Sequence, residues 1–220
     1  MFMQKENSTA AEKHYIKMTE TPVAKLVIML GIPTTVSMLI TNLYNMADTY
    51  FVGELGESQQ GAIGILFTLQ SIIQAVAFML GHGSGSFVAK ELADKNPKNA
   101  SRYISSALFA GSIFGLLFMA LGLALLTPFM RLLGSTYACD YGMWVMISCP
   151  FLVCSLILNN CLRYEGKAFF AMIGLVSGAI INIAGDYILI KVCNLGVFGA
   201  GMSTAISQII SFAILLVLYI

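Results

Sequence analysis

The chain has 220 residues, with 12 Lys or Arg, 11 Asp or Glu and a net charge of +1. Hydrophobic residues make up 58% and charged residues 10%, whereas a soluble domain is about 25% charged. This composition excludes a soluble domain, because the surface of such a domain must be wetted by charge. It also excludes nucleic acid as the main partner, since phosphates are bound by an excess of Lys and Arg. The sequence therefore predicts a multi-pass protein of the lipid bilayer.

Six apolar stretches are each long enough to cross the hydrocarbon core as a helix, which takes about 20 residues. The predicted helices 1 to 6 cover residues 23–53, 59–81, 101–126, 141–160, 168–190 and 198–220. No ten-residue strands of alternating hydrophobicity occur, so the pattern does not favour a β-barrel. We therefore predict an all-α membrane protein, in which a six-helix transmembrane bundle over residues 23–220 follows a polar segment over residues 1–22.

The positive charges predict the orientation of the bundle, because short cytoplasmic loops carry an excess of Lys and Arg. Only Arg131 and Lys191 are expected on one side of the membrane. The other side receives ten: Lys5, Lys13, Lys17, Lys25, Lys90, Lys95, Lys98, Arg102, Arg163 and Lys167. We therefore predict that the N-terminus is cytoplasmic, and residues 1–22 lack the apolar stretch of a signal peptide. Helix 6 stays apolar to its last residue, so we expect a continuation beyond residue 220.

Two acidic residues, Asp48 in helix 1 and Asp186 in helix 5, fall inside predicted helices. An acid at the centre of a membrane helix costs about 2.5–3.5 kcal/mol, so such residues usually face the bundle interior and mark function. Both helices run in the same direction. Asp48 precedes Glu54 by six residues and Asp186 precedes Lys191 by five, so they lie roughly 9 and 7.5 Å from the helix ends. Two acids at one depth predict one shared site.

Other polar residues repeat at helical spacing in the same helices, which places them on common faces. In helix 5, Gly174, Gly178 and Asn182 precede Asp186 in steps of four, and the glycines allow close helix packing. An isolated Ser or Thr more often bonds to its own backbone than lines a site. Even so, we expect seven polar residues to line an internal cavity: Thr34, Ser37, Thr41, Asn45, Gln70, Gln74 and Asn159. Further candidates are Ser148 and Ser155 in helix 4 and Thr204, Gln208 and Ser211 in helix 6.

Three segments resemble the signatures of the multidrug and toxic compound extrusion (MATE) transporters. They are residues 44–56 (YNMADTYFVGELG), 182–190 (NIAGDYILI) and 196–207 (GVFGAGMSTAIS), which correspond to that family's helices 1, 5 and 6. The resemblance implies twelve helices in two lobes, of which this chain would be the N-terminal lobe, with a C-terminal lobe missing. It also implies a cation-coupled antiporter, with no cofactor and no enzymatic activity. Such a protein would export amphipathic or cationic organic compounds and drugs across the plasma membrane, here the bacterial inner membrane.

The resemblance also implies roles for single residues. In the branch that includes the DNA-damage-inducible relatives, the acids of helices 1 and 5 bind the coupling proton or sodium ion. Motif by motif this role falls on Asp48 and Asp186, with Asn182 and Thr204 as neighbours. Oxygen ligands suit Na⁺ as well as protons, so the choice between H⁺ and Na⁺ stays open. Two features depart from the family: Tyr187 stands where Pro is common, and the loop segment LRYEGK lacks the usual acid after its Gly.

Two alternative functions are open at this point. A flippase of lipid-linked oligosaccharides has a similar bundle but would favour a cationic cavity for pyrophosphate, whereas the intramembrane charges here, Asp48 and Asp186, are both acidic. An intramembrane aspartyl protease also pairs two aspartates, but that family resemblance would require Gly-x-Gly before the second acid. Ile183 occupies the position of the first glycine here. Both alternatives are therefore less favoured than an exporter.

The remaining motifs carry little functional information. The glycine-rich residues 81–86 (GHGSGS) follow a membrane helix and lack the Lys of a phosphate loop, so we expect His82 in a loop at the membrane surface. His14 and His82 are too few for a histidine metal cluster. Cys139 and Cys193 both fall in predicted loops on the outer side. They could pair in a disulfide, although free thiols are the simpler expectation.

Overall fold

The computed structural model describes Glu12 and residues 15–132 and 137–220. Lys5, Lys13, His14 and the side chain of Arg131 lie outside what it describes. Six helices of membrane-spanning length lie in the described residues: α1 (Val23–Gly53), α2 (Glu57–Ala93), α3 (Pro97–Leu132), α4 (Tyr137–Tyr164), α5 (Ala168–Asp186) and α6 (Gly196–Tyr219). A π-helical segment, Tyr187–Val192, follows α5 directly. All six helices are long and apolar enough to cross a membrane, and the prediction of an all-α, six-helix transmembrane fold is confirmed.

Helix α4 forms the centre of the bundle. It packs against α2, α3 and α6, while α5 packs against both α1 and α6. The membrane-spanning part of α4 is 67% buried, compared with 6% for α1 and 11% for α3. Lipid tails are as apolar as Leu, so helices in a membrane are held together by close packing and polar contacts rather than by the hydrophobic effect. The apolar outer faces of α1 and α3 are therefore free to contact lipid or another protein.

Helix α2 is longer than the sequence predicts. The expected end at Gly81 is wrong, because the helix continues through the glycine-rich segment to Ala93. Gly81 and Gly85 face α4: a Cβ atom on Gly81 would lie 2.8 Å from Asn160 Nδ2, and one on Gly85 would overlap the ring of Tyr164. These glycines therefore serve close packing between α2 and α4. His82, predicted in a loop, is an exposed residue of this helix.

Helix α4 also extends beyond its predicted ends. Arg163, expected in the connection to the next helix, lies in the last turn of α4. Cys139, expected in a loop, lies in the first turn, and all five cysteines are free thiols. The membrane-spanning part of α4, Cys139–Tyr164, therefore includes a basic residue, Arg163, in its last turn.

The two sides of the bundle differ in charge. We call the "basic side" the one that holds Lys90, Lys95, Lys98, Arg102, Arg163 and Lys167. On the opposite side, Lys191 of the π-helical segment forms a salt bridge with Glu54, at the end of α1. Hydrogen bonding to Lys191 lowers the pKa of Glu54. The pair is partly exposed, and such pairs contribute little stability, so it orients these two helix ends more than it holds them together.

Close helix contacts predict which glycines the bundle cannot replace. At Gly115 of α3 a Cβ atom would lie 2.6 Å from the Cα atom of Pro150 in α4, whereas Gly83 of α2 has nothing within 4 Å. We expect Gly115→Ala to lower the free energy of unfolding by about 1–3 kcal/mol, because backbone atoms must move apart. The matched control Gly83→Ala should not destabilise the protein. Thermal unfolding in detergent measures both, and equal stability of the two variants would contradict this packing.

Candidate functional site

The two aspartates of the membrane helices are both buried: Asp48 is 2% exposed and Asp186 is 0% exposed. Asp48 lies near the end of α1, and Asp186 is the last residue of α5. Helices α1 and α5 pack against each other, and the two carboxylates are close enough to interact electrostatically. The fold therefore brings together the two acids that the sequence placed at one depth.

A tyrosine from the central helix completes this site. The Tyr141 side chain of α4 is 1% exposed, and its hydroxyl donates a hydrogen bond to Asp48 Oδ2 over 2.7 Å. The Thr204 hydroxyl of α6 lies 3.4 Å from the same phenolic oxygen. Because a phenol has one hydrogen and Asp48 takes it, Thr204 must donate to Tyr141. A chain of hydrogen bonds therefore runs from α6 through α4 to the acid of α1.

Asn182 and Ser203 extend this chain toward the second acid, whose oxygens accept no hydrogen bond in the described part of the chain. Asn182 Nδ2 donates to Thr204 Oγ1 over 3.3 Å, and Ser203 Oγ donates to the backbone carbonyl of Asn182 over 2.9 Å. Ser203 lies beside Asp186, but its only hydrogen is used by that carbonyl. The structure thus gathers six side chains that we call the "acid cluster": Asp48, Tyr141, Asn182, Asp186, Ser203 and Thr204.

The acid cluster contains more acceptors than donors. Four of its buried oxygens have no hydrogen-bond partner in the described part of the chain: Asp48 Oδ1, Asn182 Oδ1 and both carboxylate oxygens of Asp186. Buried polar atoms in proteins are almost always satisfied, and an isolated buried charge is especially costly. Such a group of oxygens has the chemistry to hold a proton or a hard cation.

The backbone changes at the acid cluster. Regular α-helix ends at Asp186, and the next six residues, Tyr187–Val192, are π-helical. π-Helical turns are rare and occur frequently at functional sites. Tyr187 stands where the family commonly has Pro. The interruption of α5 at this position is therefore built without a proline.

A cavity of about 330 Å³ lies beside the acid cluster, among α1, α2, α4, α5 and α6. Asn182 belongs both to the cluster and to the cavity wall, and Arg163 lines the same cavity in the last turn of α4. Of the seven residues predicted to line a cavity, three do so: Thr41, Gln74 and Asn159. The candidates Ser155, Gln208 and Ser211 line it as well.

The other four residues predicted to line the cavity lie elsewhere. The hydroxyls of Thr34 and Ser37 donate to backbone carbonyls one turn earlier in α1, as isolated Ser and Thr in helices often do. Asn45 lines a separate, open depression near Glu54. Gln70 is buried, at 5% exposure, and is absent from the cavity wall. The polar residues on one face of helix 1, Thr34, Ser37, Thr41, Asn45 and Asp48, which we call the "polar stripe", therefore differ in their contacts. Some contact the backbone, Thr41 lines the cavity, and Asp48 belongs to the acid cluster.

The sequence argument missed Tyr141 and Ser203. The predicted helix begins at residue 141, which puts Tyr141 at the membrane surface. In the structure α4 begins at Tyr137, so Tyr141 lies about 6 Å from that end at 1.5 Å per residue. The role of Ser203 depends on the contact between α5 and α6, which no pattern in the sequence indicates.

The sequence profile of the MatE family matches residues 33–188. The chain belongs to the MatE family. This confirms the resemblance seen in the three sequence segments. The chain is 26% identical over 187 residues to the multidrug export protein MepA of Staphylococcus saprophyticus, covering 82% of this chain and 42% of the relative. It is 29% identical over 199 residues to MepA of Staphylococcus haemolyticus, covering 87% and 44%.

Solved structures show the same relation. An outward-facing multidrug resistance MATE family transporter of the MOP superfamily superposes with a TM-score of 0.85 at 27% identity, covering 91% of this chain and 46% of that one. A MOP superfamily transporter from Pyrococcus furiosus, described as having a binding pocket of reverse polarity, gives a TM-score of 0.85 at 27% identity. The match covers 91% of this chain and 45% of that transporter. The chain thus spans about half the length of the relatives that it matches, as one lobe would.

The hydrogen bond between Tyr141 and Asp48 can be tested by removing a single oxygen. Tyr141→Phe should lower the free energy of unfolding by about 1.5–3 kcal/mol, the usual contribution of a hydrogen bond to a charged group. The matched control Tyr103→Phe changes an exposed residue of α3 and should shift stability by less than about 0.5 kcal/mol. Thermal unfolding in detergent near neutral pH measures both. A Tyr141→Phe protein as stable as the control would contradict the bond.

Proposed function

We propose that this chain is the N-terminal lobe of a cation-coupled antiporter that exports amphipathic or cationic organic compounds. The observation that carries the proposal is the group of four unpartnered, buried oxygens in the acid cluster. Buried carboxylate oxygens without donors are costly inside a membrane protein, and binding a cation or a proton removes that cost. The cluster adjoins a cavity of a size that can hold an organic compound. An ion site beside a compound site is the arrangement that coupled transport needs.

The acid cluster can couple ion binding to helix movement because its residues come from four helices. Asp48 of α1 is tied through Tyr141 of α4 to Thr204 of α6, and Asp186 ends α5. Loading Asp48 with a proton or Na⁺ removes the negative charge that holds the Tyr141 hydroxyl. The contact of α1 with its neighbours then changes in strength, so the ion shifts the balance between two arrangements of the lobe. This mechanism works with H⁺ as with Na⁺, whose ligands would be Asp48, Asn182 and Asp186.

The cavity walls suit compounds of varied shape. Met38, Tyr44, Phe78 and Leu156 line it together with polar residues, and flexible Met and aromatic side chains adapt to many ligands. Asn182 faces this cavity on one side and reaches Thr204 of the acid cluster on the other. Compound and ion therefore act on the same side chain, which supports competition between them.

Orientation and location are part of the proposal. The concentration of Lys and Arg on the basic side supports a cytoplasmic N-terminus in the plasma membrane, here the bacterial inner membrane. Because the chain spans about half of its relatives, a second six-helix lobe is the expected partner. Oligosaccharide flippase and aspartyl protease activities are less favoured. Asp48 is paired with Tyr141 rather than sharing a proton with a second acid, and one Arg does not make a cationic cavity.

The coupling role of the aspartates can be tested in proteoliposomes with the protein at its full native length. Asp48→Asn and Asp186→Asn should each abolish coupled export while the protein still folds, because Asn is neutral and nearly isosteric. The matched control Asp140→Asn changes an exposed acid in the first turn of α4 and should export normally. Imposed pH and sodium gradients, applied separately, identify the coupling ion. Full export by either cluster variant, with unchanged dependence on the ion gradient, would remove that aspartate from the mechanism.

A second test separates the cavity from the rest of the polar stripe. Thr41 lines the cavity, whereas Asn45, one turn along α1, lines the open depression. We expect Thr41→Leu to change the affinity for a fluorescent organic cation by about tenfold, since one or two methylene groups in a binding pocket alter affinity by that order. Asn45→Leu should leave the affinity within about threefold of the original protein. Equal effects of both variants on dye anisotropy would contradict this assignment of the cavity wall.

A further inference from the structure

The basic-side end of the cavity carries a cationic side chain with unsatisfied hydrogen-bonding capacity. Arg163, in the last turn of α4, is partly buried and lines the cavity wall. Its Nε atom is buried and has no hydrogen-bond partner in the part of the chain that the structure describes. The salt bridges found there join Lys167 to Glu165 and Lys191 to Glu54, so Arg163 takes part in neither. A buried N–H donor without an acceptor is unfavourable.

Local structure compensates this charge only in part. The C-terminal end of a helix carries a partial negative charge that favours a cation in its last turn, and Arg163 lies there. That field is diffuse and does not supply acceptor atoms to a planar group with five N–H donors. The Nε–H of Arg163 stays unsatisfied despite it. A group with acceptor oxygens that enters from the cavity would supply the missing partner.

A histidine lines the same part of the wall and is held in a defined orientation. The His82 ring stacks on Phe78 at 5.7 Å between centroids, and Tyr164 packs against it edge-on at 5.9 Å. The Tyr164 hydroxyl lies 3.4 Å from His82 Nδ1, which leaves the other ring nitrogen, Nε2, outside this contact. His82 therefore presents a fixed polar edge beside the cavity that Arg163 also lines.

Arg163 and the acid cluster lie at different depths of the cavity. Arg163 follows Ser155 by eight residues on α4, which is about 12 Å along the helix. The wall between these two residues carries both apolar and uncharged polar side chains, such as Leu156 and Asn159. Asn182 and the acid cluster lie at the far end. An amphipathic molecule with an anionic group at one end and a cationic or neutral body matches this distribution of charge.

We propose that Arg163, assisted by His82, binds the carboxylate or other oxyanion of an amphipathic ligand in this cavity. The inference rests on the proposed function and adds a binding group for an oxyanion to its compound cavity. The guanidinium plane matches a carboxylate in two parallel hydrogen bonds, which are stronger than those between neutral groups. The phosphate of a lipid headgroup offers the same chemistry, so the source of the oxyanion is a separate question for the experiment.

The test compares two ligands that differ only at the anionic group: a xanthene dye with a free benzoate and its methyl ester. Fluorescence anisotropy of the purified full-length protein in a phosphate-free detergent gives both affinities. Arg163→Gln should weaken binding of the acid by about tenfold or more, the loss expected for a charge-assisted hydrogen bond. Binding of the ester should change less than about threefold. The matched control Arg102→Gln, an exposed Arg of α3 on the basic side, should leave both affinities unchanged.

The other outcomes separate this inference from the proposed function. Unchanged binding of the acid, or an equal loss for acid and ester, would overturn the role of Arg163. If the unsubstituted protein binds the ester but not the acid, the result overturns the anionic site alone. If it binds neither dye, the result overturns the proposed function as well. Displacement of the acid dye by short-chain phosphatidylglycerol supports the site and assigns it a lipid ligand. Failure of that lipid to compete, with Arg163-dependent binding of the acid, supports a carboxylate as the preferred ligand.

Discussion

The free-energy cost of holding two carboxylates away from water governs the arrangement of this lobe. Asp48 and Asp186 are almost fully buried, and the bilayer supplies no donors to them. Donors come instead from the central helix: Tyr141 of α4 satisfies one oxygen of Asp48. The remaining oxygens of the pair are left without donors. The bundle therefore satisfies these acids only in part, and the proposed binding of a cation or a proton rests on the oxygens that lack donors.

Small residues make this arrangement possible because they let helices approach closely. Gly178 of α5 faces Ser211 of α6, where a Cβ atom would lie 2.9 Å from the Ser211 Cβ. The Ser211 hydroxyl in turn donates to the Gly174 carbonyl over 2.9 Å. This contact brings Asn182 within hydrogen-bonding distance of Thr204. In a membrane, where apolar burial does not favour one helix partner over another, close packing and polar contacts between helices set the geometry of the acid cluster.

The cavity joins two regions of opposite charge. Asn182 connects one end to the buried acids, and Arg163 occupies the other. Inside the protein the charges are screened less than they would be in water. A ligand that places opposite charges against both ends gains from each, whereas a uniformly cationic or anionic pocket would select a single sign. Charge distribution within one cavity, rather than net charge of the lobe, thus sets the chemistry of what it holds.

Apolar length and composition in the sequence determined six membrane helices, since crossing hydrocarbon requires about 20 apolar residues whatever the packing. Depth along the chain also placed Asp48 and Asp186 together, because equal distances from helix ends put residues in one layer. The sequence could not decide which side chains meet across helices. Tyr141 reaches Asp48 from 93 positions away, and Gly81 and Gly85 are packing residues only because α4 lies against them. Neighbouring helices also decide how far α2 and α4 extend and where Arg163 lies in the cavity. They decide as well which residues of the polar stripe in α1 line that cavity. Those contacts exist only in the tertiary structure, and local patterns of a few turns contain no information about them.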